Sequence, residues 1–222
     1  MDGISADSLD IAPDLWFALD ILGTFVFALS GGLLAARKRF DIVGIIVLSV
    51  AAGLGGGMTR DVLLGDTPPV AFREEIYLLT ALLAAAAVFL FHHQFNRMDY
   101  SIRLLDAVGL GVFAVSGTLK SLDFDLGPLP AILLGTVTGA GGGVIRDLLA
   151  REVPLILERD IYALAAVLGA TTLVILLWLG LDTAIAAGIG VLATIGIRVL
   201  ALRYNWQAPR ARRSTLDDPD AS

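Results

Sequence analysis

The sequence predicts an all-α membrane protein of seven transmembrane helices: two inverted three-helix repeats plus a seventh helix, with kinked second and fifth helices. Three observations carry that prediction. The 222-residue chain is 56% hydrophobic and 17% charged, with a mean hydropathy of +0.79, and a soluble domain of this size would need more polar surface to cover itself. Apolar runs near the length of about 20 residues that a bilayer demands recur seven times along the chain. Finally, the segment Gly53 to Asp61, Gly-Leu-Gly-Gly-Gly-Met-Thr-Arg-Asp, returns at Gly139 to Asp147 as Gly-Ala-Gly-Gly-Gly-Val-Ile-Arg-Asp, 86 residues later.

In chain order, residues 1–14 form an acidic N-terminal segment with Asp2, Asp7, Asp10 and Asp14 and no basic region, so it is not expected to be a cleavable signal peptide. The first repeat, 15–100, is expected to hold spans at 15–36, 42–64 and 76–95; the second, 101–180, spans at 102–120, 128–150 and 161–180. The unit 181–204 holds the last span, 183–202, as a packing or assembly helix, and 205–222 is a polar tail rich in Pro, Arg and Asp. Polar breaks separate the spans at Arg37-Lys38-Arg39, 66–75, 96–101, 121–127, 151–160 and Asp182. Pro68 and Pro154 follow the two glycine-bearing spans and terminate them. His92 and His93 fall at the end of the third span and read as an interfacial polar turn.

Basic residues orient the bundle. With seven spans and the N-terminus outside, thirteen Lys and Arg fall on the inner side and three, Arg60, Arg73 and Lys120, on the outer side. The positive-inside rule therefore puts the N-terminal segment outside and the C-terminal tail in the cytoplasm.

The duplication reaches beyond the glycine motif. At the same offset Asp20 matches Asp106, Gly23 matches Gly109, Phe27-Ala28 matches Phe113-Ala114, Ser30-Gly31 matches Ser116-Gly117 and Pro68 matches Pro154. With one gap, Ile76-Tyr77 matches Ile161-Tyr162. Three spans per copy is an odd number, so the second copy inserts upside down, the arrangement that places a transport site at the repeat interface near the midplane.

The candidate site is the motif itself. Each of Gly55, Gly56, Gly57, Gly141, Gly142 and Gly143 disfavours a helix by about 1 kcal/mol relative to alanine. The triplets either unwind the helix and expose polar backbone to a pore, or permit close helix packing. Arg60 and Arg146 favour the pore, because an arginine deep in a span costs at least about 2.5 kcal/mol and faces a cavity or a partner. A purely structural role leaves those arginines unexplained. Depth pairs Arg60 with Asp20 or Asp61, and Arg146 with Asp106 or Asp147; Asp61 and Asp147 can equally be solvated at their helix ends. Ser30 and Ser116 are candidate pore-lining hydroxyls or bond to their own helix; Phe27 and Phe113 narrow a pore or pack as core aromatics.

Other chemistry is poorly supplied. There is no cysteine, hence no disulfide or thiolate metal site. No HExxH, nucleophile elbow or Walker-type loop occurs, so neither an enzyme nor a cofactor is expected. A net charge of −6 argues against nucleic acid as a partner.

The doubled Gly-Gly-Gly-x-x-Arg-Asp within a pair of three-span repeats, followed by a seventh helix, resembles the prokaryotic trimeric intracellular cation (TRIC) channels, also grouped as a membrane-protein family with a glycine-transporter domain. The resemblance covers about residues 15–202. It implies a homotrimer in a prokaryotic inner membrane, surrounded by membrane lipid, each protomer holding its own potassium-permeable pore lined by the second and fifth helices. It also implies that Gly55 to Gly57 and Gly141 to Gly143 are the bends, and that Arg60, Asp61, Arg146 and Asp147 are the motif's charged positions. The lysine/arginine-rich segment that binds phosphoinositide in animal members has no match here. Arginines in a cation path need neutralising carboxylates, and no filter sequence such as Thr-Val-Gly-Tyr-Gly is present, so potassium is expected to permeate together with sodium. The alternative is a secondary transporter of glycine or another small zwitterion, whose carboxylate suits arginine and whose ammonium suits aspartate.

Overall fold

The structure, a computed structural model, describes residues 13–92, 98–158, 161–204 and 206. Among the described residues the chain folds into helices alone: α1 (Pro13–Arg37), α2 (Ile42–Leu64), α3 (Val70–Arg73), α4 (Glu75–Phe91), α5 (Met98–Asp123), α6 (Pro128–Leu149), α7 (Leu155–Glu158), α8 (Tyr162–Trp178) and α9 (Thr183–Tyr204). Helices α1, α2, α5, α6 and α9 are long and apolar enough to cross a membrane, while α4 and α8 are apolar but of 17 residues each. The described residues thus form an all-helical membrane protein.

Local chemistry sets the ends. Asp41 caps α2, its carboxylate accepting from the Gly44 amide at 2.8 Å. Gly65, with φ of 75°, closes the same helix by donating to the Asp61 and Val62 carbonyls. Pro128 opens α6, where its missing N–H is no loss. Asp182 caps α9 by accepting from the amides of Ala184 and Ile185. His92 caps α4; His93, the segment 1–12 and the tail from Gln207 onward lie outside the described residues.

The helix order repeats: long, long, a four-residue turn, then 17 residues, from α1 to α4 and again from α5 to α8. The backbone repeats with it. Left-handed residues fall at Arg39 and Asp125, and at Gly65 and Arg151, each pair separated by the 86-residue offset. The short helices α3 and α7 were not legible, since four residues carry no periodicity.

Helices α1, α2, α5 and α6 form the centre; α4 packs on α1 and α2, α8 on α5 and α6, and α9 on α5 and α8. Leu33, Leu48, Val88 and Ile102 fill one core cluster, and Val115, Leu119, Leu173 and Leu177 another. The outer surface is apolar, with Leu83, Leu129, Trp178 and Leu192 all at least 66% exposed, as a lipid-facing shell requires.

The glycine triplets do not unwind their helices: α2 and α6 stay helical through Gly55 to Gly57 and Gly141 to Gly143. Their lost propensity is offset by contact between the two backbones. A Cβ on Gly56 would stand 2.3 Å from the Thr138 carbonyl oxygen, and one on Gly142 would stand 2.4 Å from the Ala52 carbonyl oxygen. Only glycine lets α2 and α6 approach this closely, so the two copies of the motif meet face to face.

Candidate functional site: two buried charge clusters

Beyond the glycines, α2 and α6 each carry the Arg-Asp pair one turn further on. Arg60 on α2 and Arg146 on α6 are each 1% exposed. A buried guanidinium must be neutralised and its N–H groups satisfied, and each is met by α1 or α5 and by its own neighbouring aspartate.

In the first cluster Arg60 grips Asp20 of α1 with both ends of its fork, Nη1 to Oδ1 at 2.8 Å and Nη2 to Oδ2 at 2.7 Å. The same guanidinium donates to Asp61 Oδ1 through Nε at 3.0 Å and Nη2 at 2.8 Å. Both sequence-derived pairings of Arg60 therefore form together. Asp61 is not solvated: its Oδ2 accepts the Val70 amide at the start of α3 at 3.0 Å. Ser116 of α5 donates to Asp20 Oδ1 at 2.7 Å, and Tyr77 to Oδ2 at 3.3 Å.

The second cluster follows the same plan with different geometry. Arg146 meets Asp106 of α5 by a single contact, Nη1 to Oδ1 at 3.0 Å. It donates to Asp147 Oδ1 from Nε at 2.8 Å, while Asp147 Oδ2 accepts the Leu155 amide at the start of α7 at 3.1 Å. Ser30 of α1 accepts a hydrogen bond from Arg146 Nη1. Ser30 and Ser116 thus reach across to the clusters, each from the other copy of the repeat, instead of bonding to their own i−4 carbonyl.

Phe27 and Phe113 lie between the clusters. Each stands seven residues from the aspartate on its own helix, Asp20 or Asp106, roughly 10 Å along the axis. The rings stack at 5.6 Å with an interplanar angle of 17°, and both are buried. Each rests where a glycine of the other copy leaves room, Phe27 over Gly109 and Phe113 over Gly23. A cavity of about 270 Å³ opens beside the second cluster, lined by Arg37, Asp99, Arg103, Arg146, Asp147 and Glu152. Beside the first cluster the space is about 10 Å³, room for about one water.

Each cluster is flanked by further ion pairs that sequence reasoning missed. Lys120 of α5, expected at a span's polar flank, is fully buried and donates to Asp61 Oδ1 at 2.8 Å and Asp66 Oδ2 at 2.7 Å. At the equivalent position to Asp66, Glu152 is ion-paired with Arg37 and with Lys38, the latter at 3.0 Å, and Arg37 also pairs with Asp99. Burial would raise both loop carboxyls, but Lys120 and Arg73 hold Asp66 below the usual carboxylate range, and Lys38 and Arg37 hold Glu152 below it. Arg198 of α9, counted only as an inner-side charge, is 1% exposed and lies 4.7 Å from the Tyr162 ring centre. The Ile-Tyr match at 76–77 and 161–162 was the available signal for Tyr77 and Tyr162; nothing in the sequence distinguished Lys120 or Arg198 from ordinary flanking charges.

Residues 17–93 and 103–178 each match the family model described as Glycine transporter. The chain is 39% identical over 199 residues to the UPF0126 inner membrane protein YadS of Escherichia coli strain K12, covering 88% of this chain and 95% of that one. It is 47% identical over 154 residues to a UPF0126 membrane protein of Deinococcus radiodurans, covering 68% and 72% respectively. Among solved structures, it is similar to the TRIC trimeric intracellular cation channel orthologue from Rhodobacter sphaeroides, with a TM-score of 0.83, 39% identity, and coverage of 86% of this chain and 98% of that one. It is also similar to a prokaryotic TRIC channel crystallised in 0.5 M KCl, with a TM-score of 0.81, 33% identity, and coverage of 87% and 98%.

Proposed function

We propose that this chain, which belongs to the membrane-protein family described as Glycine transporter and shared with the prokaryotic TRIC channels, is a passive channel for monovalent cations, permeable to potassium and sodium. The observation that carries this is the pair of buried arginine–aspartate clusters at the two ends of one Phe27–Phe113 stack, in a fold similar to solved cation channels. A cation passing between α2 and α6 meets each arginine already neutralised. Asp20, Asp61 and Asp66 face Arg60, Lys120 and Arg73 in one cluster, and Asp106 and Asp147 face Arg146 in the other. The stacked rings, carried by α1 and α5, are the constriction that separates them in this conformation.

The two 17-residue helices count with the five longer ones as seven spans, and the 86-residue duplication is an inverted repeat. The N-terminus faces outward, the C-terminus faces the cytoplasm, and the protein is a homotrimer with one pore per protomer in the bacterial inner membrane. Gly55 to Gly57 and Gly141 to Gly143 line the path as the close-packed seam of α2 and α6. One observation favours transport of glycine or another small zwitterion instead: the 270 Å³ cavity presents three guanidinium groups opposite three carboxylates. Recording from purified protein in planar bilayers separates the two. Arg60→Ala and Arg146→Ala are expected to alter conductance or gating with assembly intact, and variants that both conduct like the parent would remove the pore from this site.

A further inference from the structure

We propose that Ser30 and Ser116, each reaching from one repeat into the other's cluster, are positioning residues that select between two poses of the buried arginines and so decide which end of the path admits solvent; the consequence for conduction rests on the channel function above.

The two clusters hold the same residues in different geometry. At the 86-residue offset Asp20 matches Asp106, Arg60 matches Arg146, Asp61 matches Asp147 and Ser30 matches Ser116. The arginine–aspartate contacts therefore differ in pose and not in composition. In the first cluster Arg60 spends Nη1 on Asp20 Oδ1 at 2.8 Å and Nη2 on Oδ2 at 2.7 Å, a two-pronged grip. The Ser116 hydroxyl donates to the same Oδ1 at 2.7 Å, and the Tyr77 hydroxyl donates to Oδ2 at 3.3 Å. In the second cluster Arg146 divides Nη1 between Asp106 Oδ1, at 3.0 Å, and the Ser30 oxygen. The Ser30 proton is directed at the Ile102 carbonyl oxygen, 3.5 Å away.

A hydroxyl can take either part because it both donates and accepts. Donating to the aspartate, the serine holds the carboxylate square to the guanidinium fork, and the pose is gripped. Accepting from the arginine, it draws Nη1 away from the aspartate, and the pose is released. The free space divides in the same way: about 10 Å³ beside the gripped cluster and about 270 Å³ beside the released one. In this conformation the first end is gripped and the second released. Conduction requires both ends released, so Ser116 acts to close the path and Ser30 to keep it open.

The chain has no cysteine, so single introduced thiols report on each end. Arg103→Cys places one in the second cavity and Met58→Cys places one beside the first cluster. The measurement is their rate of modification by a small methanethiosulfonate on the purified protein. S116A is expected to speed modification at position 58 severalfold and to leave position 103 unchanged. S30A frees Arg146 Nη1 for Asp106, and is expected to slow modification at position 103 severalfold and to leave position 58 unchanged. S116T and S30T, which keep the hydroxyl, should follow the parent. In planar bilayers S116A should raise the open probability and S30A should lower it. Alanine variants that do not act in these opposite directions overturn the inference, as do threonine variants that follow the alanine ones. Modification rates that shift as expected in a protein that passes no current support the two poses and overturn the channel function alone.

Discussion

At the scale of single residues, the pairing of Arg60 with Asp20 is the firmest link between sequence and structure. It was legible because both residues occupy apolar spans where an unpaired charge is untenable, and because their depths match when the spans run in opposite directions. The serine contacts were not legible, since a hydroxyl in a helix has a local acceptor always at hand. Lys120 and Arg198 were not legible either: near a span's end, a basic side chain that reaches water and one that turns inward have the same sequence signature. Removing one partner of a buried pair strands the other charge, so Asp20→Asn should destabilise the protein by about 3 kcal/mol. The double variant Asp20→Asn/Arg60→Gln should recover much of that loss. Thermal unfolding of the detergent-purified protein measures both, and equal losses in the single and double variants would show that the pair is not what holds α1 to α2.

At the scale of helices, the glycine triplets show where propensity misleads. Helix penalties alone left unwinding and close packing both open, and the structure shows packing, because the backbones of α2 and α6 meet where any side chain would intrude. Neighbouring glycines should therefore respond oppositely to the same change. Gly56→Ala drives a methyl against the Thr138 carbonyl, 2.3 Å away, and should destabilise the α2–α6 seam. At Gly57 the nearest atom to an added Cβ is the Arg60 Nη2 at 3.9 Å, so Gly57→Ala should be neutral or stabilising by up to about 1 kcal/mol. Similar melting temperatures for the two variants would contradict the packing role. The repeated left-handed backbone supplies another case: Gly65 has its equivalent in Arg151 at φ 55°, and Arg151→Gly should stabilise by about 0.5–1 kcal/mol by relieving that strain.

At the scale of the whole molecule, the ion pairs flanking the two clusters differ in how they meet solvent. Lys120 and Asp66 have side chains 1% and 13% exposed, whereas Arg37 and Glu152 are 30% and 33% exposed. Added salt should loosen the Glu152 ion pairs first, because exposed pairs are screened far more than buried ones. Both carboxyls titrate below their ordinary range in the folded protein. Their stabilisation is therefore full above that range and is lost as the pH falls through the depressed values. Asp66→Asn and Glu152→Gln should each flatten the acid limb of a melting-temperature profile, and an unchanged limb in both would show that these pairs carry no linked stability.

The membrane class, the helix spans and the doubled motif were written in hydropathy and in one repeated string. The inequality of the two clusters was not, because matched aspartates, Asp20 held through both oxygens and Asp106 by a single contact, look the same in the repeated string. The most direct test of the channel function is single-channel recording of the purified protein in a planar bilayer under a potassium gradient, compared with Phe27→Ala/Phe113→Ala. The expected result is discrete openings that reverse toward the potassium equilibrium potential, with greater open probability once the stacked rings are gone. Silent bilayers from both proteins, together with saturable counterflow of labelled glycine in vesicles, would contradict it.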